Sequence, residues 1–219
     1  MNNIILIGAG GHCNSIIDSL ISQNIYNPIG ILDNSKHIGH KVRDIKVIGT
    51  DMDLKYYRSK GIVYAFICVG SIGNVSVRKK IYKKLKEFDY KLANIIDPSS
   101  IVSNNIEIGN GNFIAKGAIV NTNAKIGNNI IINSGSIVEH ECVIGDFSHI
   151  APGATLCGNV NIGENSHIGA NSTIIQGIKV GCNTIVGAGS VVVRDIGSNC
   201  KVYGNPCKTS YQMSRENKK

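Results

Sequence analysis

Hydrophobic and polar positions follow two different rhythms along this chain. From Ile96 onward every sixth residue is aliphatic: Ile96, Val102, Ile108, Ile114, Val120, Ile126, Ile132, Val138, Ile144, Ile150, Leu156, Ile162, Ile168, Ile174, Val180, Val186 and Val192, seventeen hexads without a miss. The fifth position of the hexad is mostly small, as at Ala118, Ala124, Ser136, Cys142, Ser148, Ala154, Ser166 and Ser172. Gly recurs at 109, 127, 145, 163 and 181, a spacing of eighteen, which is three hexads. A chain that returns to the same corner after three short strands is a triangular coil. The first residue of each hexad points into a prism of stacked coils about 4.8 Å apart. Gly and Asn are expected at the corners, because both tolerate left-handed φ.

Residues 1–93 read otherwise. An apolar run at 4–7 predicts a buried strand that meets the turn Gly8-Ala9-Gly10-Gly11. Ile16, Ile17 and Leu20 then recur at helical spacing. A second strand is expected over 28–32, ending at Asp33, a helix over 52–59, another strand over 62–69, ending at Gly70, and a basic amphipathic helix over 74–88. Strands alternating with helices imply a small Rossmann-like α/β domain with a parallel sheet. The expected organisation is therefore an α/β domain over 1–93, a parallel β-helix over 94–210 and a basic tail over 211–219.

Composition agrees with a core of small and β-branched residues: Gly numbers 25, aromatics are 5% and Trp is absent. The net charge of +8 is concentrated in Lys79, Lys80, Lys83, Lys84 and Lys86 and in the final Lys218 and Lys219. The run reads either as a solvated helix face or as an attractor of polyanionic substrates. No basic motif is interleaved with aromatics, so nucleic acid is not an expected partner. The seven Cys show no CxxC spacing, which argues against a zinc or redox site, and no metal is expected. An odd Cys count without a leader points to reduced thiols in a cytoplasm, and no apolar run is long enough for membrane insertion.

Several motifs carry a family resemblance. Val186-Gly187-Ala188-Gly189-Ser190-Val191-Val192 and Gly204-Asn205-Pro206-Cys207-Lys208 resemble the closing turns of the hexapeptide-repeat acyltransferases, with Cys207 where Ala is usual. Gly8-Ala9-Gly10-Gly11-His12, Leu32-Asp33, Val69-Gly70 and Val138-Glu139-His140-Glu141-Cys142-Val143-Ile144-Gly145 resemble the sialic-acid O-acetyltransferase family. That family includes acetyltransferases of nucleotide-linked 4-amino sugars such as those of bacillosamine and perosamine synthesis. The resemblance implies a left-handed β-helix, acetyl-CoA as co-substrate, and a homotrimer with sites between subunits. It implies N-acetylation of a UDP-linked 4-amino sugar by direct attack. O-acetylation of sialic acid or a related hydroxyl is the enzyme alternative, and a sugar-binding scaffold without catalysis is the alternative of another class. Left-handed β-helices also host carbonic anhydrases, but a convincing third His ligand beside His149 and His167 is missing.

Acetyl transfer needs a base for the attacking group, donors for the developing oxyanion and a groove that aligns the thioester. His140 stands at the third hexad position, away from the inward knob, flanked by Glu139 and Glu141. By resemblance His140 is the general base and Glu141 its orienting partner; without it, they read as surface residues at a coil corner. By the same resemblance His149 and Asn133 line the acetyl-CoA site and Gly158 presents an N–H to the acetyl group. His167 stacks on His149 by spacing and reads as structural. Arg194, Lys201 and Lys208 are candidates for CoA phosphates by charge alone. The loop Gly8-Ala9-Gly10-Gly11-His12-Cys13 follows a strand and opens a helix, where backbone N–H groups can cradle phosphate. It reads GxGxxC rather than GxGxxG, which disfavours NAD. By resemblance Gly10, Gly11, Asp33 and Gly70 hold the nucleotide of the sugar substrate and His12 approaches the sugar, with Cys13 replacing a frequent Gly. His37 and His40 read as exposed loop residues. No Cys is read as paired with a His as nucleophile and base, so transfer through a covalent acyl-enzyme is disfavoured.

Overall fold

A computed structural model describes residues 1–212. It divides into two compact units, Met1–Pro98 and a second that begins at Ser99. Of the basic tail, Tyr211 and Gln212 belong to the last strand, Cys207–Gln212, and 213–219 lie outside the described residues.

The first unit is built on β1 (Asn2–Ile7), α1 (Gly11–Gln23), β2 (Tyr26–Leu32), β3 (Lys41–Val42), β4 (Ile45–Gly49), α2 (Leu54–Ser59), β5 (Tyr64–Ile67), α3 (Ser76–Glu87) and β6 (Lys91–Leu92). Sheet order is β3-β4-β2-β1-β5-β6, with every pair parallel except β3 with β4. The apolar run at 4–7 is the central strand, covered on both faces, as a strand in a parallel sheet must be. The β3–β4 hairpin was not among the expected elements. Its turn places Arg43 at φ 52, a conformation that Gly or Asn usually signals in sequence. Helix α1 starts at Gly11, with Gly10 as an extended cap that offers no side-chain acceptor to the first-turn N–H groups. A left-handed Asn24 (φ 55) ends it.

The second unit is a left-handed parallel β-helix of two-residue strands. From Ile101 to Val192 the strands pair in parallel at a spacing of eighteen, as Ile119 with Ile137, Val143 with Asn161 and His149 with His167, and the closing strand Cys200–Gly204 joins Ile185 at a spacing of sixteen. The pattern gives three flat faces. Every first-position residue from Ile114 to Val192 is at most 4% exposed, so the prism interior is a continuous aliphatic column. The hydroxyls of Ser136, Ser148, Ser166, Ser172 and Thr184 at the fifth position are buried and bonded to main-chain carbonyls of the same or the next coil, as Ser136 Oγ to Asn133 O (2.7 Å) and Ser166 Oγ to Gly181 O (2.8 Å). A small polar residue fits there because it satisfies a buried backbone acceptor without displacing the next coil.

The expectation for the eighteen-spaced glycines needs correcting. Left-handed φ occurs at the fourth hexad position, at every sixth residue from Gly111 to Gly189, and most of these are Gly or Asn. Gly109, Gly127, Gly145, Gly163 and Gly181 stand at the second position and have no such φ. They are glycines for lack of room: a Cβ on Gly163 would lie 2.5 Å from Cys182 N, and one on Gly145 would lie 2.6 Å from Glu164 N.

Candidate active site

In the β-helix, His140 projects from the third hexad position beside the left-handed corner at Glu141. Its side chain is 55% exposed and Glu141's is 58% exposed. His140 Nδ1 stands 3.5 Å from Glu141 Oε2, longer than an ordinary hydrogen bond. The two flanking acids are told apart by their commitments. Glu139 Oε2 already accepts from Asn121 Nδ2 (3.0 Å) and from the His140 main-chain N–H (3.4 Å). Of the two, Glu141 is the carboxylate that stands beside the ring nitrogen. Glu141 also holds φ 61, a region that costs a residue with a Cβ roughly 1–2 kcal/mol.

The far edge of the imidazole lies over Gly158, eighteen residues on and thus one coil along. A Cβ at Gly158 would come within 2.6 Å of both His140 Cε1 and Nε2. Gly158 therefore makes room for the ring, a role its spacing from His140 could have revealed. On another face, Asn133 Nδ2 lies 3.1 Å from His149 Nε2. Asn133 Oδ1 accepts from Ser134 N (2.8 Å), which orients the amide and makes Nδ2 the donor. His149 Nε2 is then an acceptor, and a neutral ring carries its proton on Nδ1. His167 stacks edge-to-face on His149, with ring centroids 4.9 Å apart, and burial holds its pKa below the usual imidazole value. His140 with Glu141 and Gly158, and His149 with Asn133, are thus two small clusters.

The first unit holds a cavity of about 500 Å³ lined by Gly8, Asp33, Asn34, Thr50, Asp51, Met52, Val69, Val77 and Lys80, among others. Asp33 lines it, whereas Gly10, Gly11, His12 and Gly70 stand outside its walls. Asp33 Oδ2 accepts from Ala9 N (3.1 Å) and lies 2.8 Å from His37 Nδ1. So His37 is exposed, as expected, yet tied to Asp33. Gly8 (φ +104) is obligatory, since a Cβ there would meet Val69 Cγ2 at 2.6 Å, while Gly10 and Gly11 face open space. His12 lies against Gly70; burial first and the Arg78 guanidinium second push its pKa down to about 4. Among the described residues, no three His, Cys, Asp or Glu side chains are placed to hold a metal ion, and no helix is long and apolar enough to cross a membrane.

Arg78 and Thr50 were not singled out from sequence, and Lys80 was named only as a member of the basic run. For Arg78 the signal existed: 78, 81 and 85 share one helical stripe with Ile81 and Leu85, so this member of the basic run faces inward.

Residues 3–85 match the PglD N-terminal domain family. Residues 123–158 match the bacterial transferase hexapeptide family and 159–194 the hexapeptide repeat of succinyl-transferase. No curated protein matches the chain. Among solved structures, the chain resembles a histidine variant of perosamine N-acetyltransferase from Caulobacter crescentus in complex with CoA and GDP-perosamine, at 32% identity and TM-score 0.89, covering 95% of this chain and 96% of that one. It resembles the acetyltransferase domain of PglB from Neisseria gonorrhoeae in complex with acetyl coenzyme A at 32% identity and TM-score 0.86, covering 95% and 99%. WeeI from Acinetobacter baumannii follows at 25% identity and TM-score 0.83, again covering 95% and 99%.

Proposed function

The chain belongs to the hexapeptide-repeat acetyltransferases that carry a PglD N-terminal domain, and from that premise we propose that it N-acetylates a UDP-linked 4-amino sugar with His140 as general base. That it is an acetyl-CoA-dependent sugar acetyltransferase follows from the family. The nucleotide, the base and the assembly are the proposal.

The observation that carries the mechanism is the His140 ring resting on Gly158, with Glu141 behind its Nδ1. The amine attacks the thioester carbonyl and a C–N bond forms. His140 Nε2 takes the proton released from nitrogen, while Glu141 stabilises the imidazolium through Nδ1–H. The C–S bond then breaks, and His140 returns the proton to the thiolate of CoA. Asn133 and His149 line the acetyl-CoA side, and the Gly158 N–H faces the acetyl oxygen as it becomes an oxyanion. Gly10, Gly11, His12, Asp33 and Gly70 hold the nucleotide sugar, the phosphates lying at the uncapped N-terminus of α1.

A homotrimer with sites between subunits belongs to the same reading. One β-helix face presents an outward column of β-branched residues, Ile101, Ile119, Ile137, Thr155, Thr173 and Val191, and Ile101 is 67% exposed. A second copy of the chain is the occupant such a face fits. A cytoplasmic location is proposed with it, where acetyl-CoA and nucleotide sugars are made.

The test is turnover. His140→Ala should keep the assembly and lose roughly 10²–10⁴ in rate. Near-wild-type turnover would remove His140 from the mechanism. Thermal-shift screening against UDP-, GDP-, TDP- and CMP-sugars identifies the nucleotide, since a ligand of the native state raises its stability. GDP is the competing assignment, because one relative was solved with GDP-perosamine. An alkali-labile ester in the product would replace N- by O-acetylation.

A further inference from the structure

A buried cation lies behind the glycine-rich loop. Arg78, on the inner face of α3, is 2% exposed. A guanidinium in such a place is costly unless well bonded, and an apolar side chain would fill the same stripe beside Ile81 and Leu85 more cheaply. Its Nη1 donates to Val69 O at 2.5 Å and to Ile67 O at 3.4 Å. Those carbonyls mark the C-terminal end of β5, the edge at which parallel sheets receive ligands. The loop is packed against that same stretch. Gly8 passes so near Val69 that a Cβ would overlap Val69 Cγ2 at 2.6 Å, and a Cβ on Gly70 would stand 3.6 Å from His12 Cβ. The charge of Arg78 also reaches His12.

We propose that Arg78 is a positioning residue for the nucleotide-sugar site: it clamps the Ile67–Val69 strand exit that supports the Gly8-to-His12 turn, and it sets a fixed positive charge behind the turn. The inference rests on the reading of the first unit as that site. The ligand it serves is a nucleoside diphosphate, whose charge a buried cation attracts with little screening by salt. Arg78 touches no reacting atom; it acts through the backbone N–H groups and His12.

The experiment is calorimetric titration of the full-length protein with UDP, GDP and acetyl-CoA. Arg78→Met should weaken the preferred diphosphate at least about tenfold, the loss expected of a charge-assisted hydrogen bond, and leave acetyl-CoA affinity unchanged. Arg78→Lys, which keeps the charge but loses the fork, should fall between the two. A folded Arg78→Met protein that binds the diphosphate as wild type does, or that loses acetyl-CoA equally, overturns the proposal. If Arg78→Met does not fold, Arg78→Lys decides alone, and wild-type diphosphate affinity in it overturns the proposal. Wild-type protein that binds acetyl-CoA but neither UDP nor GDP removes the nucleotide-sugar reading and this proposal together.

Discussion

Gly158→Ala probes the proposed base, His140, without replacing it. The added Cβ would lie 2.6 Å from His140 Cε1 and Nε2 and 3.3 Å from Cδ2. Comfortable carbon contacts start near 3.5 Å, so the ring must retreat by about 1 Å. The retreat is cheap, because the atoms in the way are the far end of a side chain that is 55% exposed. Gly158 is not among the left-handed glycines, so Ala itself fits the backbone. Stability should then change by no more than about 0.5 kcal/mol. Turnover should fall on the order of 10²-fold, the loss expected when a reacting group is misplaced by about 1 Å. The assay is thiol-reagent capture of released CoA with acetyl-CoA and the amino sugar identified by screening, alongside a melting curve. A double-mutant cycle makes the inference strict, since in a His140→Ala background Gly158→Ala has no ring to displace and should cost nothing more. Wild-type turnover in the single variant, or a second full loss in the double one, refutes the reasoning.

Three further outcomes are expected. Glu141→Asn puts the residue that tolerates left-handed φ at the φ 61 corner; it should raise the melting temperature by roughly 2–4 °C while lowering turnover, and a lower melting temperature would mean that the corner is unstrained. Gly163→Ala forces apart main chains that a Cβ would approach to 2.5 Å and should cost about 2–3 kcal/mol, whereas Gly177→Ala, with φ +74 and open space, should cost about 1 kcal/mol; equal urea midpoints would sink the distinction. His12 has a folded pKa of about 4 against 6.5 unfolded, so the unfolded chain binds its proton first and stability falls as pH drops from 6.5 towards 4, by roughly 3 kcal/mol at most. His12→Asn should flatten that limb, leaving the part from His167, whose pKa is lowered in the same direction; an unchanged slope in acid melts counts against it.

The β-helix was legible because its geometry repeats. One inward position in six must be aliphatic, and the strand register of eighteen follows from three such strands per coil. What periodicity does not separate is glycine for conformation from glycine for space. Both recur with the coil, and only the distance from Gly163 to Cys182 N shows which demand is being met. The α/β unit was legible where strands are buried on both faces and illegible at the β3–β4 hairpin. There the residue in left-handed conformation is Arg43, and the alternation of Ile45, Lys46, Val47 and Ile48 is too short to stand out.

The proposed site coincides with a break in the local rule of the solenoid. From Gly111 to Gly189 the fourth position of every hexad takes positive φ, and the residue there is Gly or Asn except at Glu141 (φ 61) and Phe147 (φ 60). Those two corners lie in the consecutive hexads that carry His140 and His149. A residue with a long side chain is held in a costly conformation only where the surrounding coils over-determine it, and such positions cluster at functional sites. Once corners are assigned to the fourth position, the exceptions can be found from sequence alone, without any motif. The commitments of their side chains cannot. That Glu139 is spent on Asn121 and a main-chain N–H, and that Glu141 is not, depends on which coil lies next to which. The solenoid supplies that register, so the choice between two adjacent carboxylates becomes a question of stacking before it is one of chemistry.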